Sequence, residues 1–180
     1  MNGCQAEVIR TDRLDLLPLR VEHAEEMAGV LADPALHTFI GGAPYELPAL
    51  RSRYARLVAG SPDPAVAWLN WVIRLRTESC LTGTVQATVS HAGAAFGSGS
   101  EHGRVAEVAW VTGVAWQGRG LATEATRALV DWLGRQSVQT VIAHIHPEHR
   151  ASAAVATAAG LTPTDTWYEG EVRWQRRIVA

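Results

Sequence analysis

The stretch Glu107-Val-Ala-Trp-Val-Thr-Gly-Val-Ala-Trp-Gln-Gly-Arg-Gly-Leu-Ala-Thr-Glu-Ala125 reads as strand, turn and helix in one run. It starts apolar, passes through a short turn, and delivers Gln117, Gly118, Arg119, Gly120, Leu121 and Ala122 to a helix start. The first backbone N–H groups of a helix have no internal partner, and the helix dipole favours negative charge there. A strand that feeds glycines into such a helix start is an anion site. Gly118 and Gly120 carry no Cβ, so a ligand can approach the backbone closely. The expected occupant is a group bearing a pyrophosphate. On spacing alone, a plain strand-to-helix connection with two glycines is an equal alternative.

Composition bounds the answer. A chain of 180 residues suffices for one domain with a sizeable core, and we expect a single domain over residues 1–180. Hydrophobic residues make up 47% and charged residues 19%, the balance of an ordinary globular protein. The net charge is -2 and no basic block stands out, which argues against a nucleic-acid or membrane surface. All sixteen basic residues are Arg. The two cysteines, Cys4 and Cys80, form no disulfide framework and no Cys-x-x-Cys pair. No apolar run is long enough to span a bilayer, and the N-terminus lacks a signal pattern. A cytoplasmic protein is the expectation.

Working outward, residues 7–19 alternate as a strand closed by Pro18, and Val21–Ala32 has helical spacing ended by Asp33-Pro34. Residues 36–45 read as a loop around Gly41-Gly42, and Leu47–Ala59 as a helix. Trp68–Leu75 and Leu81–Val89 are the arms of a hairpin that turns at Thr77-Glu78-Ser79. Residues 90–103, rich in Gly, Ala and Ser, read as a mobile surface loop. A strand over 104–113 and a helix over 118–135 follow, the helix burying Ala122, Ala125, Leu129 and Trp132 or Leu133. Then come a strand at Thr140–Ile145, a helix at Pro147–Ala159 stopped by Gly160, and a strand pair at 166–168 and 172–178. The order β-α-α-β-β-β-α-β-α-β-β predicts an α/β fold of mixed α+β type, a mixed sheet flanked by helices. It is not a run of βαβ units, which counts against a dinucleotide-binding Rossmann domain. The absence of Gly-Lys-Ser/Thr, and of any Lys, excludes a P-loop.

This order and these residues resemble the GNAT superfamily of N-acetyltransferases, most of all its RimJ/RimL-type branch, which acetylates N-termini of ribosomal proteins. Thr11-Asp12-Arg13-Leu14 and Leu17-Pro18-Leu19-Arg20 look like that branch's opening strand. Gln117-Gly118-Arg119-Gly120-Leu121-Ala122 matches the superfamily's acetyl-CoA signature, and Thr123-Glu124-Ala125 continues it. Pro147-Glu148-His149-Arg150-Ala151-Ser152 is similar to a second segment, Pro-Glu-Asn-x-Ala-Ser. The resemblance implies a mostly antiparallel sheet and a cytoplasmic enzyme that moves acetyl from acetyl-CoA to an amine acceptor, a protein N-terminus or a small molecule. It implies no nucleic acid, membrane or metal, and a possible homodimer. The implied cofactor contacts are Val111, Thr112 and Gly113 along the pantetheine arm, Gln117 to Thr123 at the pyrophosphate, and His149 and Ser152.

Two departures stand out. His149 replaces the usual Asn, and Ala156 sits where many members carry a Tyr general acid. These leave a non-catalytic acyl-CoA-binding or sensing module as the alternative function.

Acetyl transfer needs a held cofactor, a deprotonated amine, a stabilised oxyanion and a tolerated thiolate. Glu107, a carboxylate in an apolar strand, is the candidate base, since partial burial raises a carboxyl pKa toward neutrality. The plainer alternative is a strand-edge Glu facing water. Ser152 is the candidate acid, against the ordinary habit of a first-turn Ser of bonding local backbone. Arg119 could add charge at the pyrophosphate or simply be solvated. His144 and His146 lie two apart, with His149 following, but no Asp or Cys completes a metal spacing. A second base or a packing role suits the two better. Trp68, Trp71, Trp110 and Trp116 read as core or pocket wall. Trp167, Trp174, His37, Phe39 and Tyr45 are candidates for the acceptor site by position. Asp33 and Glu46 are the only acidic residues of the early loop, which weighs against polyamine or aminoglycoside acceptors.

Overall fold

The computed structural model describes residues 4–91 and 103–178. The greater part of the 90–103 segment, residues 92–102, therefore lies outside the described residues. Among the described residues eight strands form one sheet, flanked by four α-helices. The strands are β1 (Ile9–Arg10), β2 (Leu14–Pro18), β3 (Ala67–Leu75), β4 (Cys80–His91), β5 (Arg104–Thr112), β6 (Val138–Ile145), β7 (Thr162–Tyr168) and β8 (Glu171–Arg177). The helices are α1 (Ala24–Val30), α2 (Leu47–Ala59), α3 (Leu121–Arg135) and α4 (Arg150–Ala158). The sheet order is β1-β2-β3-β4-β5-β6-β8-β7. Every neighbouring pair is antiparallel except β5 and β6. Among the described residues no helix is long and apolar enough to cross a membrane.

Alternation along the strands sends side chains to two layers. On one face Leu69, Trp71 and Ile73 of β3 join Val85, Val108 and Val141 beneath α3 and α4. Trp71 is fully buried, edge-on to Trp132 of α3 at 5.4 Å, and its indole N–H donates to the Glu7 carbonyl at 2.7 Å. That bond satisfies the one polar atom of a large buried ring. On the other face Met27, Leu50 and Tyr54 of α1 and α2 cover Val72 and Leu81.

Several boundaries differ from the sequence reading, each for a visible reason. Residues 7–19 form two strands, because the chain folds back at Thr11–Arg13 so that Ile9 pairs with Leu16. Arg76 holds that turn by donating to the carbonyls of Thr11, Asp12 and Leu14. Helix α3 begins at Leu121, after two left-handed glycines, so its buried stripe starts at Leu121 and Ala122 is only half-buried. Helix α4 begins at Arg150, since Pro147–His149 forms a turn in which the His149 N–H bonds the His146 carbonyl. The last hairpin is longer than expected, with β7 starting at Thr162. Its turn places Glu169 and Gly170 at φ of 49° and 81°, the double left-handed geometry that suits a twisted two-residue hairpin.

Candidate active site

The parallel pair at the centre of the sheet sets the site. β5 and β6 pair from Arg104 through Glu107↔Ile142 and no further, yet β5 runs on to Thr112 and β6 to Ile145. Beyond Glu107 the two strands part. The far side of β5 remains paired to β4 along its whole length. Antiparallel ladders bond on alternate residues. The Gly113 N–H donates to the Thr82 carbonyl at 2.8 Å, which sets the alternation. Val111 and Ala109 therefore turn their backbone groups to β4, while Val108, Trp110 and Thr112 turn theirs into the opening.

Of the strand residues predicted to touch a cofactor, Thr112 thus faces the gap and Val111 does not. The Thr112 carbonyl already accepts from Gln117 Nε2 at 3.0 Å. Gly113 has a packing reason to be glycine, since a Cβ there would lie 2.8 Å from the Val30 carbonyl oxygen. Val108 and Trp110 were missed, because their orientation depends on the register with β4, which a strand read by itself does not reveal. Gly83 was missed too. A Cβ on it would meet the Val111 carbonyl at 2.1 Å, so only glycine lets β4 run this close to β5.

Past the opening, Gly118 and Gly120 take φ of 75° and 76°, a left-handed conformation natural to glycine. The first helical bond of α3 runs from the Glu124 N–H to the Gly120 carbonyl. The N–H groups of Leu121, Ala122 and Thr123 come before it and have no intrahelical acceptor. The Leu121 side chain is buried in the core, so only its backbone can reach a ligand. Arg119 points away from this helix start and pairs with Glu78 at 2.6 Å, and its hydrogen bond holds that carboxyl below the usual range. The loop is pinned from below. Arg13 donates to the Arg119 carbonyl at 2.9 Å and pairs with Glu124 at 2.7 Å, and the Thr11 hydroxyl donates to Glu124 at 2.6 Å.

At the point where the strands part, Glu107 Oε1 lies 2.7 Å from His144 Nδ1. His144 is nearly buried, while Glu107 keeps a third of its side chain in solvent. The Tyr168 ring lies 5.5 Å from that of His144. Glu171 joins this group: burial raises its pKa, and the charges of His144 and His146 pull the other way. Neither Tyr168 nor Glu171 stood out in the sequence. At the start of α4, His149 stacks on Phe39 at 4.3 Å, and Ser152 Oγ is 3.4 Å from His149 Nε2. Burial lowers the His149 pKa, and the charge of His146 adds to this. His146 accepts from the Glu148 N–H and meets Phe39, so the histidines divide between two neighbourhoods. Among the described residues no group of three His, Cys, Asp or Glu could hold a metal ion.

Glu107, Ala109 and Val111 share the sheet face that α1 and α2 cover only partly. A cavity of about 140 Å³ opens on that face, between α2 and the 36–45 loop, over Asn70, Thr84, Gln86 and Val111. His37 and Tyr45 line it, whereas Trp174 packs into the opposite layer and Trp167 faces solvent.

Residues 13–162 match the model of an acetyltransferase (GNAT) domain. The chain belongs to the GNAT acetyltransferase family. GNAT acetyltransferases take their acetyl group from acetyl-CoA, and this chain is an enzyme of that kind. Solved GNAT structures have the same fold. The acetyltransferase from Agrobacterium tumefaciens str. C58 is 26% identical, with 98% of this chain and 97% of that one covered at a TM-score of 0.71. RimL, a ribosomal L7/L12 alpha-N-protein acetyltransferase solved with coenzyme A, is 14% identical over 96% and 98%, at 0.74. The Salmonella typhimurium acetyl transferase that modifies the N-terminal serine of ribosomal protein L7/L12 is 13% identical over 96% and 100%, at 0.74. No curated protein matches the sequence.

Proposed function

We propose that this GNAT enzyme passes acetyl directly from acetyl-CoA to a primary amine held beside Glu107 and His144. The observation that carries the reading is the parting of β5 from β6 with a Glu–His pair at its apex. The residues present suit coenzyme A. Val108, Trp110 and the Thr112 N–H offer a strand edge to an amide-bearing arm, as a neighbouring strand would. Gly118, where a Cβ would meet nothing within 4 Å, and the N–H groups of Leu121 to Thr123 offer a pyrophosphate an uncrowded helix start. His149 and Ser152 flank the other wall.

Coenzyme A supplies the activated acetyl group. The chain's own residues manage the protons and positions. The amine nitrogen bonds the acetyl carbon as the carbon–sulfur bond breaks. The nitrogen's proton passes to the Glu107 carboxylate, which His144 orients through its Nδ1 hydrogen bond. The sulfur takes a proton from Ser152, which recovers one from water. His149 holds the Ser152 hydroxyl rather than donating itself, because burial keeps its imidazole neutral near pH 7. RimL acts on a protein N-terminus, and an N-terminal amine and a small-molecule amine both meet this proton requirement.

Calorimetric titration with acetyl-CoA and a free-thiol assay with an amine panel test the reading. The wild-type enzyme is expected to bind acetyl-CoA and to release thiol only when an amine is present. Gly120→Val, which puts a β-branched side chain on a left-handed residue and its Cβ 3.4 Å from the Arg13 guanidinium that pins the loop, is expected to weaken acetyl-CoA binding at least tenfold. Binding of normal strength by Gly120→Val would remove the pyrophosphate assignment.

A further inference from the structure

The cavity on the Glu107 face carries information about the acceptor. Its β5 wall, Val111, lies on the same strand face as the base. Ala109 lies on the same face of β5, between Val111 in the cavity wall and Glu107, and its small side chain is exposed although β5 is a central strand. Along the strand Glu107 lies about 7 Å from Ala109 and about 13 Å from Val111, so an amine at Glu107 can place its body over Ala109 and only its far end in the cavity.

The lining has a definite chemistry. Its walls include Leu31, Leu36, Ile40 and Leu57, and no Asp or Glu borders it among the described residues. A volume of about 140 Å³ is close to that of an apolar cavity that holds a benzene ring. Besides the neutral polar side chains of Asn70, Thr84 and Gln86 on its floor, two groups of the α2 wall stand out. Arg53 lies over the Tyr45 ring at 5.5 Å, and none of the carboxylates in ion pairs among the described residues pairs with it. Tyr54 is 3% exposed, and its buried hydroxyl has no hydrogen-bond partner. Burial pushes that phenol up to about 12, so it remains a donor at any working pH. A buried hydroxyl left unpaired is costly, and an oxygen supplied by a ligand would relieve it. A guanidinium beside it favours that oxygen being anionic.

We propose that the acceptor is a monoamine that carries its amine and a carboxylate at opposite ends of one apolar body, an ω-amino acid or short peptide whose carboxylate Arg53 and Tyr54 read. Polyamines and aminoglycosides fit badly, because they would bring further cations to a lining that offers Arg53 and no carboxylate. The inference rests on the acetyltransferase reading above and narrows it. An α-amino acid, whose amine and carboxylate share one carbon, cannot span from Glu107 into the cavity, whereas an ω-amino acid and a short peptide can, and these two differ in the chain between the groups.

The test is thiol release from acetyl-CoA with ω-aminooctanoate, Gly-Gly-Phe, the carboxamide of each, and spermidine. It uses the wild-type enzyme, Arg53→Met and Tyr54→Phe. At least one of the two acids is expected to surpass spermidine in kcat/KM, and the better one identifies the source. In Arg53→Met the KM for that acid is expected to rise at least tenfold, with kcat within a few-fold, while turnover of its carboxamide is unchanged. Tyr54→Phe should act in the same direction. Retained carboxamide turnover also shows that the variants fold. Spermidine as the best acceptor, or KM rising equally for acid and carboxamide, or in neither, would overturn the inference and leave the acetyltransferase reading standing. Thiol release with no amine at all would bring down both.

Discussion

Glu107 stands at the last paired residue before two parallel strands separate, and that position makes an ordinary strand carboxylate useful. The residue was legible in the sequence as a carboxylate within an apolar strand. Its partner was not, because His144 is 37 residues away and reaches it only through the parallel pairing of β5 and β6. His149 shows the reverse. Its departure from the usual Asn was plain from the motif, but its environment depends on Phe39, which arrives from a distant loop. This environment has a pH signature. Burial holds the His149 pKa below that of an ordinary histidine. Below the ordinary value the unfolded chain takes the proton first. The stabilisation is therefore complete above that value and is lost as pH falls through the lower folded one. A proton NMR titration should find His149 titrating below the ordinary histidine range. Phe39→Ala should move it upward by opening the ring to water.

At the scale of elements, the helix start of α3 is assembled by parts of the chain far from it. Glu124, in its first turn, is held by the Thr11 hydroxyl and by the backbone and guanidinium of Arg13. Partial burial alone would raise the Glu124 pKa, but these donors outweigh it and the carboxyl stays below its usual range. The sequence offered Thr123-Glu124-Ala125 only as a continuation of a motif, and the structure supplies the reason for the carboxylate. Glu124→Gln is expected to cost about 1 kcal/mol, at the low end for charged hydrogen bonds because the pair is partly exposed. Chemical denaturation at pH 7 measures it. Since the folded pKa is depressed, the difference between wild type and variant should hold above the ordinary glutamate pKa and shrink as pH falls through the folded value. The α3 stripe was readable to within one residue from its 3.6-residue period. The helix start was not, because two left-handed glycines delay it from residue 118, where the sequence reading began it, to Leu121.

Across the whole molecule, the order of strands and helices could be read from periodicity and turn residues, and it is the order observed, apart from the divided first strand. The sheet's internal order was beyond that reading. The placing of β8 between β6 and β7 depends on pairings between segments separated in the chain. The cavity on the Glu107 face was equally hidden. Asn70, Thr84 and Gln86 come from two strands, Arg53 and Tyr54 from a helix, and only the packed fold brings them together. One sheet with a helical layer on each face also makes a prediction for the chain as a unit. Far-ultraviolet circular dichroism and tryptophan fluorescence should report one coincident unfolding transition, as for a single domain. Two separated transitions would divide it.

The central claim concerns the pair at the apex of the parted strands. It is tested most directly by measuring kcat for amine-dependent thiol release at pH 7, alongside acetyl-CoA affinity, in the wild-type enzyme and Glu107→Gln. The substitution keeps the shape of the side chain and removes its capacity to accept a proton. A fall in kcat of about a hundredfold or more is predicted, with acetyl-CoA affinity unchanged. Undiminished turnover by Glu107→Gln would contradict the account.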